Sequence, residues 1–210
     1  MTEVKRPNKR AEKAKETRRR ILAAAHDLFV EHGYGATNLQ DVAARAGVAV
    51  QTIYFVFGNK RTLLKELVDV TIAGDDEPVA TMGRPWFREA LAAETADAQL
   101  KVHVAGTRAI LERVAPISRM VAAAVAADAD VAELWPRGDT PRLEVHTAAA
   151  RALVAKPGAR QGLAADYAAD VLYALLSTQC YLLFVEDRAW TPARWEEWTR
   201  DTLRAQLCTP

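Results

Sequence analysis

An all-α chain is what this sequence predicts, with a small helical domain at the N-terminal end and a larger helical body behind it. Apolar residues recur at three- and four-residue spacing along nearly all of the 210 residues. No stretch alternates apolar and polar residues in the way a half-buried strand does. The glycines and prolines that punctuate the chain, at Gly47, Gly74 and Pro157-Gly158 among others, fall between the periodic stretches. The expected organisation is a disordered basic arm over residues 1–13, a helix-turn-helix domain over 14–74 and a helical body over 75–210.

The arm, MTEVKRPNKRAEK, has little apolar content, and Lys5, Arg6, Lys9 and Arg10 give it charge suited to phosphate or minor-groove contacts. A plain solvated tail is an equal alternative. A first long helix is expected over 14–32. Its apolar face is Ile21, Leu22, Ala25, Leu28 and Phe29, and Arg18, Arg19 and Arg20 cluster near its start.

The stretch over 37–57, TNLQDVAARAGVAVQTIYFVF, carries the densest signal. Thr37 is placed to cap a helix through its hydroxyl, and as a DNA-binding position it leads the backbone N–H groups expected to hold phosphate. Leu39, Val42 and Ala43 follow on one face, and Gly47 suits the left-handed turn that ends such a helix. A second short helix is expected over 49–55. Ile53 faces inward, and Gln51, Thr52 and Tyr54 face outward, as side chains that reach base edges and phosphates do. Asn59 caps a further helix. Lys60 in its first turn is unfavourable for the helix dipole, which points to an anionic partner such as phosphate.

From about 20 to 67 the chain resembles the DNA-binding domain of the tetracycline-repressor (TetR) family of bacterial transcription regulators. The resemblance rests on Phe29, Gly33-Tyr34, Thr37, Ala43, Ala46-Gly47-Val48, Ile53-Tyr54, Phe57 and Lys60. The chain departs from the family pattern at Ala49, Val50, Val56 and Arg61. The resemblance implies a ligand-responsive regulator, most often a repressor, that binds operator DNA as a dimer and responds to a small-molecule effector in its C-terminal body.

The fourth helix carries Leu63, Leu64, Leu67, Val68 and Ile72 and ends at Gly74. Further helices are expected over 84–95 with Trp86, Phe87 and Leu91, over 98–114 with Leu100, Val104, Ile110 and Leu111, and onward from Pro116, which suits a first turn. Others are expected over 140–156, 160–187 and 192–207, the last with Thr191 as cap. Polar residues interrupt apolar faces at His103, Thr107 and Gln179. Such residues are either satisfied core groups or anchors in a ligand cavity. The candidates for a cavity are Trp86, His103, Thr107, Met120, Tyr167 and Gln179.

The last two long helices are apolar on more than one face, so they must be buried on most sides. Either they are central helices of one subunit or they pack against a second copy. The dimer reading takes Leu172, Leu176, Leu183, Trp195, Trp198 and Leu203 as the interface, and the family resemblance implies the same.

Half of the residues are apolar and 26% are charged, with a net charge of +1. That balance hides an asymmetry: residues 1–72 hold 13 Lys and Arg against 8 Asp and Glu. A basic end on an acidic body suits a polyanion contacted from one side. Cys180 and Cys208 make no disulfide framework and no metal-ligand spacing. Neither a signal peptide nor a membrane-spanning run stands out, so a cytoplasmic protein is expected. No phosphate loop, nucleophile elbow or paired metal-binding histidines occur, so neither an enzyme, a cofactor nor a metal is expected. The alternative to a regulator is an all-helical small-molecule-binding protein or enzyme without DNA activity, against which the outward Gln51, Thr52, Tyr54 and Lys60 speak.

Overall fold

A computed structural model describes residues 9–75, 77, 79–135 and 141–209. Among these residues every regular element is helical, apart from one isolated bridge between Ala159 and Cys208. The helices are α1 (Lys9–Ala36), α2 (Leu39–Ala46), α3 (Val50–Phe57), α4 (Lys60–Ala73), α5 (Pro85–Ala92), α6 (Ala96–Ala127), α7 (Ala129–Ala132), α8 (Pro141–Val154), α9 (Ala165–Leu175), α10 (Thr178–Val185) and α11 (Pro192–Leu207). They fall into two compact units. Of the described residues, one unit holds those up to Asp69 together with Arg119–Leu134, and the other holds those over Val70–Ser118 and from Trp135 on.

The first unit is built on the α1 face that the apolar spacing marks. Ile21, Ala25 and Phe29 are sealed from solvent, as are Val42 on α2, Ile53 on α3 and Leu63 and Leu64 on α4. Burying each of the larger of these side chains contributes about 1.5–3 kcal/mol. Within α1, Gly33 leaves helical geometry at φ 80° and ψ 161° and breaks the helix before Tyr34. The expected start of this helix needs correction. Residues 9–13 are helical and not an extended arm, because Ala11, Glu12 and Lys13 are strong helix formers with an acid in the first turn. The expectation for residues 1–8, Lys5 and Arg6 included, lies outside the described residues.

The second unit has its own core. Phe87, Leu100, Val104, Leu153, Leu172, Leu176, Tyr181, Trp195, Leu203 and Leu207 form one buried cluster drawn from α5, α6, α8, α9, α10 and α11. Two sequence expectations fail here. The break placed before Pro116 does not exist: Pro116 lies inside the 32-residue α6. It removes one backbone donor, and the Ser118 hydroxyl nearby donates to the Ala115 carbonyl at 2.8 Å. The single helix expected over 160–187 is two, with a bend of 41° between α9 and α10. Ser177 makes the break: its Oγ accepts from the Cys180 N–H at 3.1 Å and donates to the Ala174 carbonyl at 2.7 Å. The final helix stands as expected, with the Thr191 hydroxyl accepting from the Arg194 N–H and Pro192 in the first turn.

Among the described residues no single helix is long and apolar enough to cross a membrane. Only α9 and α10 taken together pass that test by length and composition. Leu172 and Leu176 of this pair lie in the core of the second unit.

Candidate nucleic-acid interface and ligand site

The turn between α2 and α3 shows how the local sequence aims α3. Gly47 takes the left-handed conformation at φ 64° and ψ 42°, and its N–H and that of Val48 donate to the last carbonyls of α2. Arg20 reaches across from α1 and donates to the Ala46 and Gly47 carbonyls. A side chain at Gly47 would meet that guanidinium, at 2.8 Å from a Cβ. The turn is therefore fixed from both sides.

Thr37 does not play its expected part. The cap of α2 is Asn38, whose side chain accepts from the Asp41 N–H at 2.8 Å. Thr37 is buried, and its hydroxyl donates to the Leu28 and Gly33 carbonyls at 3.1 and 2.9 Å. The hydroxyl thus ties the start of α2 back to the end of α1, which a reading of the α2 sequence alone could not show.

Gln51 is exposed and Thr52 half-buried in the first turn of α3, and Tyr54 is half-exposed beyond them. Phe55, which sequence reasoning passed over, is 91% exposed. The signal was present: Ile53 and Phe57 are the inward residues, one turn apart, so Phe55 between them must point away. It shares a face with Gln51 by the four-residue rule.

Several cations of this unit have internal partners. Lys60 Nζ lies 4.2 Å from the centre of the Tyr34 ring, and burial lowers its pKa while the nearby Asp128 charge acts the other way. Arg18 pairs with Glu66 and sits over the Phe57 ring. Arg19 pairs with Glu16 at 2.9 Å. The three arginines that looked like a free basic cluster are thus partly committed to the fold. An ammonium has three donors, so Lys60 can hold the ring and still offer a hydrogen bond to an anion.

In the second unit the structure gathers a second group of residues. Gln99, His103 and Thr107 lie at successive turns on one face of α6, and all three are buried. The His103 ring stands 5.8 Å from Trp86, 5.9 Å from Phe87 and 5.6 Å from His146 of α8. His146 in turn stands edge-on to Tyr173 at 6.2 Å. The Arg142 guanidinium covers Tyr173 at 3.5 Å and donates to its carbonyl. Trp86 is seated against Gly106, where a Cβ would fall 2.2 Å from the indole.

Both imidazoles are held neutral. Burial pushes His103 down to about 4, and burial together with the His103 and Arg142 charges pushes His146 down to about 3. Both ring nitrogens of His103, Nδ1 of His146 and Oε1 of Gln99 are buried with no hydrogen-bond partner. Gln99 spends its amide on the Ala149 carbonyl at 2.7 Å. Gln99 and His146 were not singled out from sequence, although the four-residue spacing from Gln99 through His103 to Thr107 was there to read.

Three of the expected cavity residues are elsewhere. Tyr167 is half-exposed and Gln179 is exposed, because each stands on the solvent side of a helix whose other face makes the core. Met120 belongs to the first unit, because α6 runs on past Pro116 into it. The expected interface residues also divide. Leu172, Leu176, Trp195 and Leu203 are buried in the subunit's own core, where their size fills the space between α9, α10 and α11. Leu183 is 52% exposed, and Trp198 is half-buried, stacked with Phe184 at 4.5 Å beside an open groove that also takes in Trp190 and Arg194. Among the described residues no group of three or more His, Cys, Asp or Glu is arranged to hold a metal ion.

Comparison with known proteins agrees with the helix-turn-helix. Residues 21–67 match the bacterial regulatory proteins of the tetR family. The chain is 43% identical over 58 residues to the HTH-type transcriptional regulator TtgR of Pseudomonas putida, which is 28% of each chain. It is 42% identical over 52 residues to the uncharacterized HTH-type transcriptional regulator YvkB of Bacillus subtilis, covering 25% of this chain and 28% of that one. The match thus spans less than a third of either relative. Solved structures extend the likeness in fold to nearly the whole chain. A SmeT–triclosan complex has a TM-score of 0.69 at 22% identity and covers 92% of both chains. A transcriptional regulator from Saccharomonospora viridis in complex with choline has a TM-score of 0.68 at 18% identity, covering 93% of this chain and 99% of that one. Residues 21–67 thus carry a domain that matches the tetR family of bacterial regulatory proteins, and the fold of nearly the whole chain is like that of the two solved structures.

Proposed function

We propose that this protein is a DNA-binding transcription regulator whose affinity for its operator is set by a small molecule bound in the second unit, and that it acts as a homodimer and most often as a repressor. The observation that carries this reading is α3: a helix pinned by Ile53 and Phe57, aimed by the Gly47 turn, with Gln51, Thr52, Tyr54 and Phe55 turned outward. A helix so presented suits the major groove, where a dimer reads two half-sites about 34–36 Å apart. Gln51 and Thr52 at its start read base edges, and Tyr54, Lys60 and the N–H groups at the start of α2 hold phosphates.

The His103 cluster supports the ligand half of the reading, because buried polar atoms without partners are what a small molecule satisfies. The chain passes from one unit to the other within α4 and within α6. Those helices are the natural carriers of a shift in the spacing of the two α3 copies. Coupling between ligand and DNA is reciprocal: if the ligand weakens operator binding, the operator weakens ligand binding by the same factor. An electrophoretic mobility shift on the DNA upstream of the protein's own gene tests the first half, and repeating it with ligand tests the second. Failure to retard that DNA at micromolar protein, or a tightly bound ligand that leaves operator affinity unchanged, overturns the corresponding half.

A further inference from the structure

The imidazole pair calls for a particular ligand chemistry. A neutral imidazole has one N–H and one lone-pair nitrogen, so His103 with both nitrogens unpartnered needs one acceptor and one donor. His146 Nδ1 adds a third unmatched atom and Gln99 Oε1 an unmatched acceptor. Around these atoms the walls are aromatic: Trp86, Phe87 and Tyr173 meet the two imidazoles in tilted or edge-on contacts. Among the described residues no carboxylate bears on either histidine, and the charge that acts on His146 from outside the pair is the cation of Arg142. A cationic ligand would therefore find no counter-charge. Arg142 covers the Tyr173 ring and donates to its carbonyl, so this cation is anchored to the wall of the site.

We infer that the His103–His146 pair is the polar floor of a binding site for a small uncharged aromatic alcohol of the phenol class. This rests on the small-molecule half of the function proposed above. A hydroxyl is the smallest group that donates and accepts together, so it can bridge one nitrogen of His103 and Nδ1 of His146, donating to the lone pair of one ring and accepting from the N–H of the other, while an aryl ring continues the edge-to-face packing of the walls. Trp86 is the side of the site that can yield. It is half-buried, unlike Phe87 and the two histidines, and it is held by its fit to Gly106. Swinging the indole off that glycine opens the imidazoles to a ring of similar size.

The test is calorimetric titration of the full chain with 4-ethylphenol, 4-ethylanisole and benzyltrimethylammonium, together with nitrogen NMR of its four histidines. The methyl ether keeps shape and acceptor but lacks the donor. The expected result is binding of the phenol about tenfold or more tighter than the ether, with no binding of the ammonium. The ring signals of His103 and His146 move and those of His26 and His32 do not. His103→Leu removes an unmatched polar group from the core, so it stays folded yet loses the preference for phenol over ether. His146→Leu gives the same answer from the other ring should the first variant fold poorly. Equal affinity for phenol and ether, a preference that survives both variants, or no binding at all overturns the inference. A mobility shift on the same preparation separates the two claims. DNA bound with no phenol preference sinks only this inference, and a phenol preference without DNA binding sinks only the regulator reading.

Discussion

Asp130 of α7 holds Arg61, in the first turn of α4, through an ion pair of 2.5 Å. Both side chains are more than a third exposed, so the pair contributes under about 1 kcal/mol. Its interest lies in what it answers. Two cations at the start of α4 oppose the helix dipole, and both have partners within the unit: Asp130 for Arg61 and the Tyr34 ring for Lys60. Asp128, which caps α7, also acts on Lys60. The excess positive charge at this end of the chain is thus smaller in effect than the residue count suggests.

Lys60→Ala should therefore show two effects. Loss of the contact with Tyr34 should lower the stability of the unit by about 0.5–1 kcal/mol, read by urea denaturation. Loss of one phosphate contact per subunit should reduce the slope of log affinity against log salt by about 1.8 for a dimer. Affinity should fall evenly across DNA sequences. A changed base preference with an unchanged slope would mean that Lys60 reads bases.

Gln51→Ala is the opposite case. An exposed glutamine in the first turn of α3 can pair two ways with adenine, and such a pair discriminates by about 1–3 kcal/mol. The variant should relax preference at one base pair per half-site and leave the salt slope as it was. Binding to a panel of single-base operator variants measures this, and a uniform loss across the panel would contradict it.

Thr37 and Asn38 separate a buried bond from a cap. Thr37→Val keeps the shape but removes the donor to the Leu28 and Gly33 carbonyls, and should cost about 0.5–1.5 kcal/mol. Asn38→Ala removes the acceptor for the Asp41 N–H and should cost about 1 kcal/mol. Neither change touches an outward residue of α3, so base preference should hold in both. Chemical denaturation of the variants checks the energies, and a stability unaffected by Thr37→Val would show the buried bonds to be idle.

These cases show where the sequence was readable. The helix-turn-helix was legible because its signals are local: Gly47 for the turn, Asn59 for the cap, and Ile53 with Phe57 for the inward face of α3. What failed depended on partners distant in sequence. The Thr37 hydroxyl is drawn to the Leu28 and Gly33 carbonyls of α1, nine and four residues back in the chain. In the body, the leucines and aromatics from Leu172 to Phe184 cover so many faces that apolar spacing could not reveal the Ser177 break. For the same reason it could not tell Leu176, sealed in the core, from Leu183, open to solvent. His146 came to light only when α8 brought it to His103.

The two buried histidines predict an acid limit to stability. Their folded pKa values, about 4 and about 3, lie below the ordinary value of 6.5. The unfolded chain therefore binds protons that the folded chain refuses. Stability is complete above the unfolded value and is lost as pH falls from 6.5 toward 4. For His103 alone the loss between pH 7 and pH 5 should be about 2 kcal/mol. His103→Leu should flatten that part of the curve, measured as denaturation midpoint against pH. An equally steep decline in the variant would place the acid sensitivity elsewhere.

The burial pattern decides which residues can report on assembly. A charge at Leu176, which is 1% exposed, has no partner within the core of the second unit. Leu176→Asp should therefore unfold the subunit, and loss of the dimer in that variant would say nothing of the interface. Leu183 is the informative position. It is 52% exposed in the single chain while its neighbour Phe184 packs on Trp190 and Trp198. A large apolar side chain left open beside an aromatic cluster is the kind of surface a second copy covers. The unaltered protein should sediment at about twice the 23.1 kDa mass of the chain. Leu183→Asp should yield a folded monomer, with an unchanged helical signal and a lowered sedimentation coefficient. Because two half-sites are then read independently, its operator affinity should fall steeply while the contacts of each α3 stay intact. A Leu183→Asp protein that remains dimeric at micromolar concentration would remove this face from the interface.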